Sequence, residues 1–204
     1  MDIPSQTAAA VPGLHCVLLA AGSAKQQLPI EGEPMVRRAA LAALATGAEV
    51  IVVTGAHADA VEAALGGLAL TLLHNQDWEH GMGSSLACAF RHLVKSRSTS
   101  VASLICLADQ PRIGAGELRQ LIEAHRRSPQ RIIAADHGAT LGPPCLFPQR
   151  YYDELAALSG PQGARKLLQH HADNVETLRL PQAAIDIDTP DDYQRFLQGL
   201  PPQA

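Results

Sequence analysis

The run from Leu14 to Pro29, "LHCVLLAAGSAKQQLP", decides the fold. Its first seven residues, through Ala20, are almost unbroken apolar, the mark of a strand covered on both faces in a parallel sheet. The strand passes at once into Ala21 and Gly22. A glycine placed there lets the backbone approach a ligand or adopt a positive φ. A ligand loop and a tight strand exit are both compatible with that one residue.

The same pattern returns along the chain. Apolar runs at 49–53, 69–74, 101–107 and 131–135 read as further strands, with two more at 174–180 and 184–187. Helical spacing falls between them at 34–46, 58–65, 84–94 and 117–127, then at 150–158, 162–170 and 190–197. Strand and helix in alternation predict an α/β fold: one three-layer α/β/α domain with a mostly parallel, Rossmann-like sheet and right-handed crossovers. Pro34 suits a first helical turn and Gly47 a C-terminal cap. "DTPDD", Asp188 to Asp192, offers Thr189 as N-cap, Pro190 at the first helical position and acids beside the helix N-terminus. No linker divides the chain, so residues 14–198 form the expected domain, between tails at 1–13 and 199–204.

Composition narrows the function classes. With 47% hydrophobic and 18% charged residues the chain of 204 is an ordinary globular protein rather than a disordered one. A net charge of -4 gives no electrostatic case for nucleic acid. Cys16, Cys88, Cys106 and Cys145 are scattered without a CxxC pair, which argues against a zinc site or disulfide framework; Cys16, Cys88 and Cys106, among apolar neighbours, read as small core residues. The first thirteen residues lack a basic start and an apolar run, and no apolar run approaches the ~18 residues of a membrane span, so a cytoplasmic location is expected.

In open α/β sheets ligands gather at the carboxyl ends of strands, so the loops there carry the chemistry. "AAGSAK" has one glycine, which fits neither GxGxxG nor GxxxxGK[ST], and disfavours a Rossmann oxidoreductase; its Lys25 can meet a phosphate or stay solvated. "HNQDWEHGMGSSL" brings Gly81, Gly83, Ser84 and Ser85 to a helix start, where free N–H groups receive an anion or a serine simply caps the helix. The spacing of His74, Asp77 and His80 fits no defined metal site, and Trp78 is a lid or a packing anchor. In "LICLADQPRI" Asp109 is offered at a sheet edge, a natural holder of Mg²⁺ or a residue that bonds turn amides. In "AIDIDTPDD", Asp186 and Asp188 would share one side of a strand, and either one can be a second metal-directed carboxylate.

Taken together, "LLAAG", "KQQLPIEGEPM", "NQDWEHGMGSSL", "LADQP", "GPPCLF", "GARKLL" and "DIDTPDDY" follow one another in an order that resembles the MobA-like nucleotidyltransferases. The nearest branch is the molybdenum cofactor cytidylyltransferases and their relatives in xanthine dehydrogenase maturation. The resemblance implies a nucleotide-diphospho-sugar transferase type of fold. It also implies a Mg²⁺-dependent transfer of a nucleoside monophosphate, CMP from CTP, to a pterin-phosphate acceptor, with release of pyrophosphate. Lys25 and Asp109 would be catalytic. Leu19, Ala20, Ala21, Gly22 and Lys25, with Gly83, Ser84 and Ser85, would bind the nucleotide. Asp109 and Asp188 would hold the metal, and Gly142, Pro143 and Arg165 would meet the acceptor. "AAG" resembles the form seen with CTP. A molybdoenzyme of the xanthine dehydrogenase type is the implied partner. The sequence also departs from the pattern. Only Ser23 and Ala24 separate Gly22 from Lys25, where relatives carry a longer run with an arginine, and Pro161 stands where they often have Asp. Both changes remove polar groups, so a relative that binds cofactor or nucleotide and assists maturation of a molybdoenzyme is the alternative expectation.

Overall fold

Alternation along the first strand builds two cores at once. Leu14, Cys16, Leu18 and Ala20 pack on one face of the sheet, Val17 and Leu19 on the other. In this computed structural model, residues 13–22, 24–96, 100–138 and 140–200 are described. The strands in chain order are β1 (Leu14–Ala20), β2 (Pro29–Ile30), β3 (Glu33–Pro34), β4 (Glu49–Thr54) and β5 (Thr71–His74), then β6 (Ala102–Leu107), β7 (Ile132–Asp136), β8 (Leu141–Pro148) and β9 (Val175–Arg179). The helices are α1 (Met35–Leu44), α2 (Ala58–Ala64), α3 (Met82–Lys95) and α4 (Ala115–Arg127), then α5 (Tyr152–Ala156), α6 (Arg165–His170) and α7 (Pro190–Leu197). The expected tails fall largely at 1–12 and 201–204, outside the described residues.

The main sheet runs β5-β4-β1-β6-β8-β7-β9, parallel except for β8, which is antiparallel to both neighbours. One face carries α1, α2 and α4 through Val36, Ala40, Val61, Leu118 and Leu121. The other carries α3, α5 and α6 through Leu86, Phe90, Leu155 and Leu168. This is the three-layer α/β/α arrangement. Strand order reverses around β1, which has β4 on one side and β6 on the other, so the crevice of an open α/β sheet lies over the ends of β1 and β6.

Several expected boundaries shift, each for a physical reason. Strand β8 has no counterpart in the sequence reading, because Gly142, Pro143 and Pro144 argue against a central strand. The pairing with β7 jumps between Ala134 and Ala135, opposite Cys145 and then Gly142, so the two prolines sit in the irregularity where no ladder N–H is needed. Pro34 is extended (φ -54°, ψ 138°), pairs with Pro29, and stands at the N-cap of α1 rather than inside its first turn. Helix α3 begins at Met82 instead of residue 84, with Gly81 as its N-cap. The run 184–187 is no strand: a 3-10 turn, Pro181–Ala184, leads into an extended segment that crosses the strand ends, and the Ile187 N–H donates to the Asp109 carbonyl at 3.0 Å. The expected helix cap at α7 is present, with Thr189 accepting from the Asp192 N–H at 3.1 Å.

Candidate active site

Because β1 and β6 are hydrogen-bonded neighbours, their exits emerge side by side. Lys25 lies on the 3-10 turn Ala24–Gln27 that follows β1, and Asp109 follows β6. Asp188 reaches the same place from far along the chain. Its segment is fastened by the Ile187–Asp109 backbone bond, by the Gln110 side-chain amide donating to the Ala183 carbonyl at 2.8 Å, and by the Tyr193 hydroxyl donating to the Pro29 carbonyl at 2.6 Å.

The three side chains meet. The Lys25 ammonium is 2.9 Å from Asp109 Oδ2 and 2.5 Å from Asp188 Oδ1, with Lys25 and Asp109 only 18% and 20% exposed. Burial by itself would lower the lysine pKa, but the charges and hydrogen bonds of Asp109 and Asp188 outweigh it and raise the value above the usual one. Asp186 stands beside them. Burial, reinforced by the charges of Asp109 and Asp188 and partly offset by Gln110 and Lys25, pushes its carboxyl up to about 6.

Two pockets open on either side of Asp109. The first, about 350 Å³, is lined by Leu19, Ala21, Gly22, Lys25, Trp78 and Ser85 among others. The second, about 450 Å³, is lined by His137, Pro143, Arg165, Asp186 and Asp188 among others. Met82, Leu107 and Asp109 line both. The residues expected to bind nucleotide are therefore divided. Leu19, Ala21, Gly22, Lys25 and Ser85 face the first pocket, whereas Ala20 is buried within the sheet. The anion cradle expected of Gly83 and Ser84 is closed off. The Gly83 N–H donates to the Gly160 carbonyl at 2.8 Å and the Ser84 N–H to the Gly81 carbonyl at 3.1 Å. A Cβ on Gly83 would lie 2.6 Å from the Ser159 carbonyl carbon, so this glycine serves the close approach of α3 to the 159–160 backbone. The hydroxyls of Ser84 and Ser85 accept from the Asn75 amide at 2.9 and 3.0 Å, and Ser84 lines a separate cleft. Of the expected acceptor residues, Pro143 and Arg165 line the second pocket, while Gly142 is buried against the His137 ring.

A divalent cation fits this donor set. Asp109 Oδ1 is buried without a hydrogen-bond partner, and Asp188 supplies a second carboxylate across Lys25. No group of three or more His, Cys, Asp or Glu side chains positioned to hold a metal occurs among the described residues. A hard cation here would complete its shell from water and substrate oxygens, which is the habit of Mg²⁺. His74, Asp77 and His80 lie apart from this centre, along the separate cleft.

Sequence reasoning passed over Gln110 and His137. Gln110 is 3% exposed and clasps two loops, donating to the Pro143 carbonyl at 3.1 Å as well as to Ala183. His137 Nε2 lies 2.9 Å from the Pro143 carbonyl, which marks Nε2 as the protonated nitrogen, and burial holds the ring pKa below its usual value. The signal for Gln110 was its place directly after Asp109 in "LADQP"; His137 stands just ahead of "GPPCLF" but outside that motif. His171, at the end of α6, is partly buried and pairs with Glu154 at 2.8 Å.

Comparison with known proteins agrees with this architecture. The chain is 30% identical over 92% of its length, and 98% of the relative's, to nicotine blue oxidoreductase of Paenarthrobacter nicotinovorans. It is 27% identical over 61% of its length, and 60% of the relative's, to purine catabolism protein PucB of Bacillus subtilis. Among solved structures, Rv0371c of Mycobacterium tuberculosis H37Rv in complex with manganese superposes with a TM-score of 0.77 at 27% identity, covering 92% of this chain and 100% of that one. A nucleotidyl transferase of Methanothermobacter, 20% identical, shares the fold at a TM-score of 0.76 over 91% of this chain and 96% of that one. Residues 16–175 match the MobA-like NTP transferase domain, and the chain belongs to that family of nucleotidyltransferases.

Proposed function

We propose that the chain transfers CMP from CTP to the phosphate of a molybdopterin-type acceptor, with Mg²⁺ bound and pyrophosphate released. The observation that carries this reading is the position of Asp109 on the wall common to both pockets, with one buried oxygen left unpartnered. A transfer between two bound molecules needs one charged centre that faces both. CTP would lie in the first pocket, its phosphates near Gly22 and Lys25, and the acceptor in the second, its phosphate toward the Arg165 guanidinium, which suits phosphate geometry. An acceptor phosphate oxygen forms a bond to the α-phosphorus as the bond to the departing pyrophosphate breaks. Positioning and charge supply the rate, so no covalent nucleophile is required. Mg²⁺ held by Asp109 and Asp188 would neutralise charge on the phosphate oxygens. The choice of CTP rests on the likeness of Ala20-Ala21-Gly22 to the form seen with that nucleotide. The product would pass to a molybdoenzyme of the xanthine dehydrogenase type.

The test is pyrophosphate release with Mg²⁺, a molybdopterin acceptor and each nucleoside triphosphate in turn, alongside thermal melts. CTP alone should raise the melting temperature and support release, and Asp109→Asn should lower release at least ~100-fold while the circular dichroism spectrum stays unchanged. Release unaffected by that change overturns the reading. Oxidation or reduction of nicotine blue with no pyrophosphate released would instead point to the chemistry for which the Paenarthrobacter relative is named.

One observation favours a second reading. Among the described residues that line the first pocket Lys25 is the only Lys or Arg, and two carboxylates already neutralise it. A triphosphate clamp is thereby weakened, and loss of a single such donor costs about 10²–10³ in rate. Binding of the acceptor without pyrophosphate release from any nucleotide would favour a cofactor-binding maturation protein.

A further inference from the structure

The ion pair at the centre of the site has a consequence that goes beyond the proposed reaction, although it rests on the metal-dependent reading above. The two carboxylates that suit a divalent cation, Asp109 and Asp188, are 79 positions apart in the chain (188 less 109), and one ammonium joins them, at 2.9 and 2.5 Å. Two carboxylate oxygens that close to a single point carry a strong local demand for positive charge. That demand is met from within the chain by Lys25, which is largely buried there. A divalent ion held by the same two carboxylates, with the unpartnered Asp109 Oδ1 among its donors, would stand beside the ammonium, and like charges that close repel.

We propose that Lys25 is a stand-in cation, bridging Asp109 and Asp188 in the metal-free enzyme and giving up both carboxylates when the divalent ion binds. Two properties follow. Metal binds weakly to the free enzyme, because it must first displace a satisfied ion pair. The displaced ammonium swings into the first pocket, whose wall it already forms, and becomes available to an anionic phosphate only once the metal is in place. Metal and polyphosphate then bind with positive coupling, since each draws on what the other releases.

The experiment uses the full chain without nucleotide and follows Mn²⁺ by its paramagnetic resonance signal. Lys25→Met removes the competing charge and retains a chain of similar length. The variant should bind Mn²⁺ about tenfold more tightly than the unaltered protein, the usual scale of a coupling between neighbouring groups. Relief of simple repulsion would give the same sign, so a second measurement follows the ammonium itself. The chain has three lysines, Lys25, Lys95 and Lys166, which makes a brief acylation read by peptide mass spectrometry unambiguous. Mg²⁺ should raise labelling of Lys25 severalfold and leave Lys95 and Lys166 unchanged. Equal Mn²⁺ affinity in both proteins, or Lys25 labelling that stays level or falls with Mg²⁺, overturns the stand-in role and leaves the proposed transfer intact. Absence of Mn²⁺ binding in both proteins at millimolar concentration overturns the inference and the metal-dependent reading together.

Discussion

Replacing Gln110 by Met should loosen the site before it alters any group that touches substrate. The side chain is almost fully buried and its amide donates to the carbonyls of Pro143, at 3.1 Å, and Ala183, at 2.8 Å. Those carbonyls belong to the two segments that carry the second pocket, the start of β8 and the turn before Asp186. Methionine fills nearly the same volume, so packing loss is small and the effect isolates the hydrogen bonds. The buried Ala183 carbonyl left without a donor costs ~1–3 kcal/mol, and the Pro143 carbonyl, which keeps its bond from His137 Nε2, loses a net ~1 kcal/mol, so the sum is about 3 kcal/mol. At about 2–4 °C per kcal/mol for a domain of this size, the melting temperature should fall by roughly 6–12 °C. The orphaned segment also carries Asp188, so Mn²⁺ affinity should drop several-fold while the far-ultraviolet circular dichroism is retained. A melting temperature within about 2 °C of the unaltered protein, with unchanged Mn²⁺ titration, would refute the view that this amide positions the late segment.

Three further outcomes follow from the same geometry. Gly83→Ala places a methyl 2.6 Å from the Ser159 carbonyl carbon, where the obstacle is backbone; the overpacking cost of ~1–3 kcal/mol exceeds the gain in helix propensity, and thermal melts should show a fall of about 5 °C. Asp186 has its carboxyl pushed up to about 6 from the usual 3.8, so between those values the folded chain holds more protons than the unfolded one and stability declines as pH rises; Asp186→Asn should remove that slope, giving a protein more stable than the original above pH 6 and level with it below about pH 4 in urea melts. Thr189→Ala deletes the acceptor that caps α7 and should cost ~1 kcal/mol, read as a fall of about 2–4 °C, with no loss exceeding that of an ordinary cap.

The individual strands were legible because burial on both faces writes itself into a continuous apolar run. Residues 14–20 read correctly to the residue, and 49–53 and 101–107 to within one residue at an end. β8 was not legible. Local chemistry at Gly142-Pro143-Pro144 opposes a strand, and only the irregular pairing with β7 makes one acceptable. The α7 cap was legible because its hydrogen bonds close within four residues. The run 184–187 was misread for the converse reason: its apolar and acidic alternation imitates a strand, but its backbone partner, Asp109, is far away in sequence.

The candidate site divides along the same line. Residue types at strand ends, Lys25 after β1 and Asp109 after β6, follow from the sequence, since a chain of this pattern can only emerge at that edge of the sheet. Their pairing with Asp188, the closing of the Gly83 cradle by the 159–160 backbone, and the clasp of Gln110 come from contacts between segments dozens of residues apart. A sequence determines which groups are carried and the local conformations that short-range hydrogen bonds and burial enforce. Which charges neutralise one another, and which polar atoms stay unpaired beside a cavity, depends on distances that exist only once the strands have been ordered and the chain has folded back across their ends.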